Sequence, residues 1–293
     1  MTDTALETAA RYFDKELVEP LRQQLIGRKL VSVNPHIKGA GIHSAEIMKL
    51  IEMGGGHITY ELPTSEITRD MVRVDSSVIM IPVLWQGYEV QRASWDAMKN
   101  RGIALDTASM LSAAHVVAKD EDRLIIDGWK PDGTNYTVKG FYQSANNDLS
   151  TTYDFGTYGN ATQAVAGAMA LLEDDYVYPP FNLVLNPKQM YELRVSKSST
   201  GLNEFQEVLD ILNGYKPGPG WIYSTPFIAE GTGLVVPVDP ARTYIELIAP
   251  QDIRNILGED SKIPGITPIY GTTYELVYPH VKHPNALCKL SDI

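Results

Sequence analysis

Residues 114–129, AHVVAKDEDRLIIDGW, set a histidine and three consecutive acids within eight residues. Two readings compete for them: a catalytic or metal-binding cluster, or the end of a structural helix. Periodicity decides between them. Met110, Ala114, Val117, Glu121 and Leu124 follow one another at steps of four, three, four and three, and Leu111, Ala118 and Ile125 widen the same stripe, which is the spacing of one helix face. Asp106 or Thr107 is placed to cap the start and Gly128 to close the end. About two dozen helical residues would span roughly 35 Å, long for a compact domain. The segment reads as a spine.

The acids do not converge. Asp120, Glu121 and Asp122 fan out over about 200° of the helix, so at most one or two can face any ion, and the H-E-x-x-H pattern is absent. His115 shares a side with Asp122, two turns on, and with Lys119, one turn on. The informative residue is Glu121, which falls on the apolar stripe. A carboxylate there has to be paired, hydrogen-bonded or shifted in pKa. A buried structural partner is the expectation, and acid/base chemistry is the alternative.

Upstream, Leu6, Ala9, Ala10, Phe13 and Leu17 carry helical spacing over residues 4–17, and Pro20 fits the first turn of a second short helix that Gly27 would stop. Leu30–Val33 then reads as a strand and Asn34–Gly41 as turns. From about 45 to 83 the pattern is extended, broken by Gly54-Gly55-Gly56, with little sign of a core of its own. It suggests a projecting two-stranded arm that needs a partner surface. The glycines are followed by no Lys-Ser/Thr and form no G-x-G-x-x-G, which argues against a phosphate loop. Ser94 caps a short helix to about Asn100.

Downstream, residues 130–160 are turn-rich, Asn160 or Thr162 caps a helix to about Glu173, FNLVLNP (181–187) is a buried strand, and two helices follow at 188–195 and 203–213. Four strand-like runs complete the chain, around GWIYSTPFI, GTGLVVPV, TYIELIAPQDI and TYELVYPHV. The total is a mixed α+β fold.

Composition narrows the function. A net charge of −11 over 293 residues, without a dense basic run, argues against nucleic-acid binding. The lone Cys288 excludes an internal disulfide and any multi-cysteine metal centre. No stretch reaches the roughly 20 apolar residues of a membrane span, and the acidic, polar start is unlike a signal peptide, so the expected location is the cytoplasm. There is no G-x-S-x-G elbow. His280-x-x-His283 is a weak metal pair, and Trp85 and Trp95 are weak candidates to line a flat ligand site against a core or interface role. No catalytic residue and no metal site is assigned.

Several motifs occur in a familiar order: LIGRKLVSV (25–33) after the first helix, the arm ending before WDAMKNRG (95–102), AKDEDRLIIDG (118–128), FNLVLNP, GLVVPVDPARTYIELIAPQDI (233–253) and YELVYPHVKHPNALCKL (274–290). Together they resemble the encapsulins, nanocompartment shell proteins with the HK97-type phage capsid fold. The resemblance implies an N-terminal helical region (1–40), an extended arm or E-loop (41–93), a P-domain (94–161 and 239–293) and an A-domain (162–238). It implies self-assembly into an icosahedral shell enclosing cargo proteins that carry a short targeting peptide, with Ala10, Phe13 and Leu17 offering the peptide an apolar wall. Trp95 lies near the position at which some members bind flavin. The chain departs from the family in its long 130–160 region and in APQDI, where Gly-Gln-Asp is usual. A major capsid protein of a tailed virus or provirus, located in a virion, stays open as an alternative. So does a soluble enzyme built around Glu121, which would require His115 and Asp122 to join it in one pocket.

Overall fold

The computed structural model describes residues 25–39, 41–51, 73–90, 107–150, 152–198, 201–259 and 269–293. The spine is present as helix α2 (Thr107–Ile126), preceded in the chain by a single-turn helix α1 (Gly27–Leu30). The predicted stripe is the buried face at Met110, Ala114, Val117, Ala118, Glu121, Leu124 and Ile125, whereas Leu111, expected on it, lies at its edge and is 38 % exposed. Gly27 does not stop a helix as expected; it opens one. Of the expected strand at Leu30–Val33, only Val33 makes a β-bridge, parallel to Leu247. The reversal has a cause that local sequence lacks, because the carboxylate capping α1 comes from Asp122, across 95 residues of chain.

Strands β1 (Ser44–Ile51) and β2 (Arg73–Met80) pair antiparallel as a two-stranded hairpin. β3 (Val83–Val90) leaves that hairpin and joins β10 (Ile245–Glu259) and β11 (Ile269–Val281) in a three-stranded sheet ordered β10-β11-β3, against which α2 packs. β10 and β11 are long strands whose register shifts twice, between Ile248 and Arg254. Ile269, Gly271, Thr273 and Glu275 of β11 are buried in alternation with more exposed neighbours, and at Leu276 and Val277 the strand is buried on both faces.

Past the spine the chain turns through β4 (Gly128–Trp129), β5 (Val138–Lys139), the single turn α3 (Phe141–Ser144) and β6 (Asn147–Ser150). Helix α4 (Asn160–Asp174), β7 (Phe181–Leu185), α5 (Pro187–Val195), α6 (Glu204–Leu212), β8 (Ile222–Ser224) and β9 (Thr232–Pro237) follow, and β12 (Cys288–Ser291) comes last. A five-stranded sheet ordered β6-β12-β9-β7-β8 ties this region to the chain's end. β7 is buried at all five residues, as FNLVL suggested. β12, four residues in YELVYPHVKHPNALCKL that sequence reasoning did not single out, sits second in the sheet between β6 and β9. It places Cys288 and Leu290 in the core, and burial pushes the Cys288 thiol up to about 12.

Capping follows distant groups here too. Neither Asn160 nor Thr162 caps α4 through its side chain; Gly159 precedes the helix, and the buried Glu204 of α6 accepts from Gly159 N, Thr162 N and the Thr162 hydroxyl. The same carboxylate accepts from Ser196 Oγ at 2.6 Å, joining α4, α5 and α6 at one point. A large cluster including Phe155, Val165, Leu172, Phe181, Leu193 and Leu212 forms the core of that unit.

Candidate functional site

The acid cluster of the spine is resolved by Arg28. Its Nε donates to Glu121, one Nη to Asp252 at 3.0 Å, and the other Nη to Glu275. One guanidinium thus joins α1, α2, β10 and β11. Glu121 and Glu275 are fully enclosed, while Asp252 is exposed. Burial opposes the Arg28 charge, but the attraction of Glu121 and Glu275 outweighs it and holds the group firmly protonated. The planar fork of an arginine suits three carboxylates arriving from different directions.

Asp122, next along the helix, reaches the same short helix and caps α1, accepting from Ile26 N at 3.1 Å and from Gly27 N. Burial pushes its carboxyl up to about 6, partly countered by the Gly27 N–H and raised further by neighbouring Glu121, with Ile26 N–H and Lys29 also pulling down. The sign of the linkage follows: a folded-state value of about 6, above the unfolded 3.9, means that stability rises as pH falls from 7 toward 4. Asp122→Asn keeps an oxygen to accept both N–H groups and removes the buried charge. Chemical denaturation should find it about 1–3 kcal/mol more stable than the parent at pH 7.5, with the difference vanishing near pH 4. A less stable variant at neutral pH would contradict this assignment.

Asp122 also borders a half-enclosed depression of about 230 Å³ lined by Leu25, Ile26, His115, Ala118, Pro226 and Phe227 among others. His115 and Asp122 therefore share a rim, as their spacing implied, but Glu121 points away to Arg28. The trio required by an enzyme site does not converge. A second, larger groove of about 540 Å³ runs between the start of β3 and the end of α2, with Trp85, Trp129, Asp120, Arg123 and Lys130 on its walls. Trp85 is 67 % exposed, so it is not core. His280 Nδ1 lies 3.0 Å from Glu246, and His283 stacks edge-on against Tyr244. No group of metal-ligating side chains occurs among the described residues. Ala10, Phe13, Leu17 and Trp95 lie outside the described residues.

The hairpin carries the broadest apolar exposure. On one face, Met48, Val78 and Met80 stand 69 %, 69 % and 70 % exposed, with Ser44, Glu46 and Ser76 between them. The opposite face, through Ala45, Ile47 and Ile79, packs against buried Ile81, Ile248 and Leu276. One face of this hairpin is anchored to its own chain, and the other presents methionine and valine as an exposed apolar surface.

Comparison with known proteins bears on what that surface is. The model of the Linocin_M18 family, described as encapsulating protein for peroxidase, matches residues 6–256. The chain belongs to this family. A curated relative, the type 1 encapsulin shell protein EncA of Myxococcus xanthus, is 21 % identical over 281 residues, covering 94 % of this chain and 90 % of that protein. The fold is that of a virus-like particle from Pyrococcus furiosus (TM-score 0.59, 19 % identity, 93 % of this chain and 98 % of that one). It is also that of the capsid of Myoviridae phage XM1 (TM-score 0.69, 13 % identity, 92 % of each chain). This encapsulin-family chain is accordingly a shell-forming structural protein with the HK97-type capsid fold. The arginine-centred ion cluster, which no motif announces, holds its spine to its sheet.

Proposed function

We propose that copies of this chain close into an icosahedral nanocompartment in the cytoplasm, enclosing cargo proteins that carry a short targeting peptide, and that the chain itself is not a catalyst. The exposed Met48, Val78 and Met80 face carries the reading. An apolar hairpin face without cover among the described residues is best satisfied by a neighbouring copy, and in a ring of heterologous contacts each copy both gives and receives such an arm. The division into an N-terminal region (1–40), arm (41–93), P-domain (94–161, 239–293) and A-domain (162–238) belongs to the same proposal.

For cargo, Ala10, Phe13 and Leu17 would supply one apolar wall. The depression lined by Leu25, Ile26 and Phe227 supports this, because it is apolar and sized for one or two side chains of an extended peptide. No helix among the described residues is long and apolar enough to cross a membrane.

Negative-stain electron microscopy of the purified protein tests the assembly: closed particles are expected, and monomers or small oligomers in native buffer would refute it. Particles filled with DNA would instead move the chain to the phage side of the fold. Phe13→Asp or Leu17→Asp should leave particles intact and cut the co-purified cargo at least about ten-fold, the loss of one apolar anchor being worth about 1.5–3 kcal/mol. Undiminished loading would place the peptide elsewhere.

A further inference from the structure

The two oxygens of Asp122 are used unequally. Oδ1 accepts from both Ile26 N and Gly27 N and so caps α1. Oδ2 makes no hydrogen bond among the described residues, although the residue is only 5 % exposed. It is not sealed in the core either. Its open side is the depression of about 230 Å³ that Asp122 lines together with Leu25, Ile26, Ala118, Pro226 and Phe227. A carboxylate oxygen that has lost bulk water and gained no donor is poorly solvated, and burial already pushes this carboxyl up to about 6. A group that brings a donor to Oδ2 relieves that cost.

The rest of the lining indicates which donor fits. On α2, His115, Ala118, Lys119 and Asp122 fall at i, i+3, i+4 and i+7, one side of the helix, and among them only Asp122 is both charged and buried. The loop after β8, which supplies Thr225, Pro226 and Phe227, has its polar groups committed: Thr225 N donates to Leu185 O at 2.9 Å and Phe227 N to Thr225 Oγ1 at 3.3 Å. Lys119 already brings a cation to the lining, and Lys29 is close enough to act on the same carboxylate. With the charge of Asp122 offset in this way, a neutral N–H or O–H suits Oδ2 better than a third cation. An extended peptide offers that pairing at every step, an apolar side chain for the depression and a donor one residue away.

We propose that Asp122 is a specificity-determining residue for the cargo peptide: Oδ2 accepts a hydrogen bond from a neutral donor, a backbone N–H or a hydroxyl, carried next to the apolar side chain that enters the depression. The proposal rests on the cargo reading above and deepens it by assigning the chemistry of the peptide. The probe is a fluorescent protein ending in a test tail that contains Thr-Leu, Ala-Leu or Asp-Leu, co-expressed with the full-length chain and scored as fluorescence per purified particle against the tail-less fluorescent protein. Asp122→Asn keeps an oxygen for α1 and puts an NH2 group in place of Oδ2, turning the acceptor into a donor. The parent is expected to load Thr-Leu at least about ten-fold over Asp-Leu, a hydrogen bond to a charged group being worth about that factor or more. In Asp122→Asn that preference falls to about two-fold or less, while urea denaturation finds the chain as stable as the parent or more so. A purely structural role would move loading and stability together. Ala-Leu loading like Thr-Leu assigns the donor to the backbone, and Ala-Leu loading well below Thr-Leu assigns it to the hydroxyl. Asp122→Asn particles that keep the parent's preference would overturn the proposal, and so would a parent that loads all three tails alike. Phe227→Asp separates the two readings. If it loads as the parent does, or if no tail loads above the tail-less protein, the depression is not the peptide site and both readings fall; if it loses loading and Asp122→Asn does not, only the role of Asp122 falls.

Discussion

Arg28→Ala is expected to lower the stability of the folded chain by about 3–5 kcal/mol. The reason is the company Arg28 keeps. Glu121 and Glu275 are shut away from water and each meets the guanidinium directly, so removing it strands two enclosed carboxylates rather than one. Asp252, at 66 % exposure, can turn to solvent and contributes little to the loss. Urea unfolding of the full chain measures the effect, and the companion triple change Arg28→Met, Glu121→Leu, Glu275→Gln should recover most of it, since a buried ion cluster is costly to break and cheap to replace whole. A loss below about 1 kcal/mol for Arg28→Ala would mean that the cluster is a surface decoration.

Gly128→Ala should cost about 3 kcal/mol, close behind. Gly128 has φ 105°, a conformation hostile to any side chain, and a Cβ there would fall 2.4 Å from Val138 O and 2.6 Å from Gly140 N. Those are backbone atoms of the β4–β5 pair and cannot swing aside. Gly140 is pressed from its own side, with a Cβ due 2.5 Å from Ile126 O. The chain thus crosses itself backbone to backbone where the spine ends. Gly133, at φ 73° in the same excursion but with nothing within 4 Å of a Cβ, is the control. Its alanine variant should lose only about 1 kcal/mol, from backbone strain alone. Equal losses at the two positions would show that the close crossing matters no more than the dihedral angle. Thermal unfolding of both variants settles the comparison.

Amphipathic repetition made the spine legible. The three-and-four spacing of Met110 to Leu124 is a local property, and it survives into the structure as the buried face of α2. Glu121 was legible as an anomaly for the same reason, yet its partner was not, because Arg28 lies 93 residues away, between an expected helix stop at Gly27 and an expected strand at Leu30–Val33. Gly27 and Thr162 were misjudged in a related way. Their helix starts are capped by Asp122 and Glu204, carboxylates that folding delivers from elsewhere in the chain, whereas capping signals in sequence are read within a few residues. β12 escaped because four residues cannot display a period, although its alternate burial is regular once formed. The candidate site divides similarly. The shared rim of His115 and Asp122 follows from a seven-residue spacing, but the wall supplied by Pro226 and Phe227 comes from a loop that no pattern links to the spine.

Cys288 has a practical bearing on all of these measurements. Its thiol is enclosed in the five-stranded sheet and, with its pKa pushed up to about 12 by burial, carries almost no thiolate at neutral pH. The folded chain is therefore chemically silent toward maleimides and disulfide reagents. A cysteine introduced at an exposed position such as Tyr191 becomes the sole reactive handle, so a fluorophore or crosslinker can be addressed to one chosen spot on every copy without first removing the native cysteine.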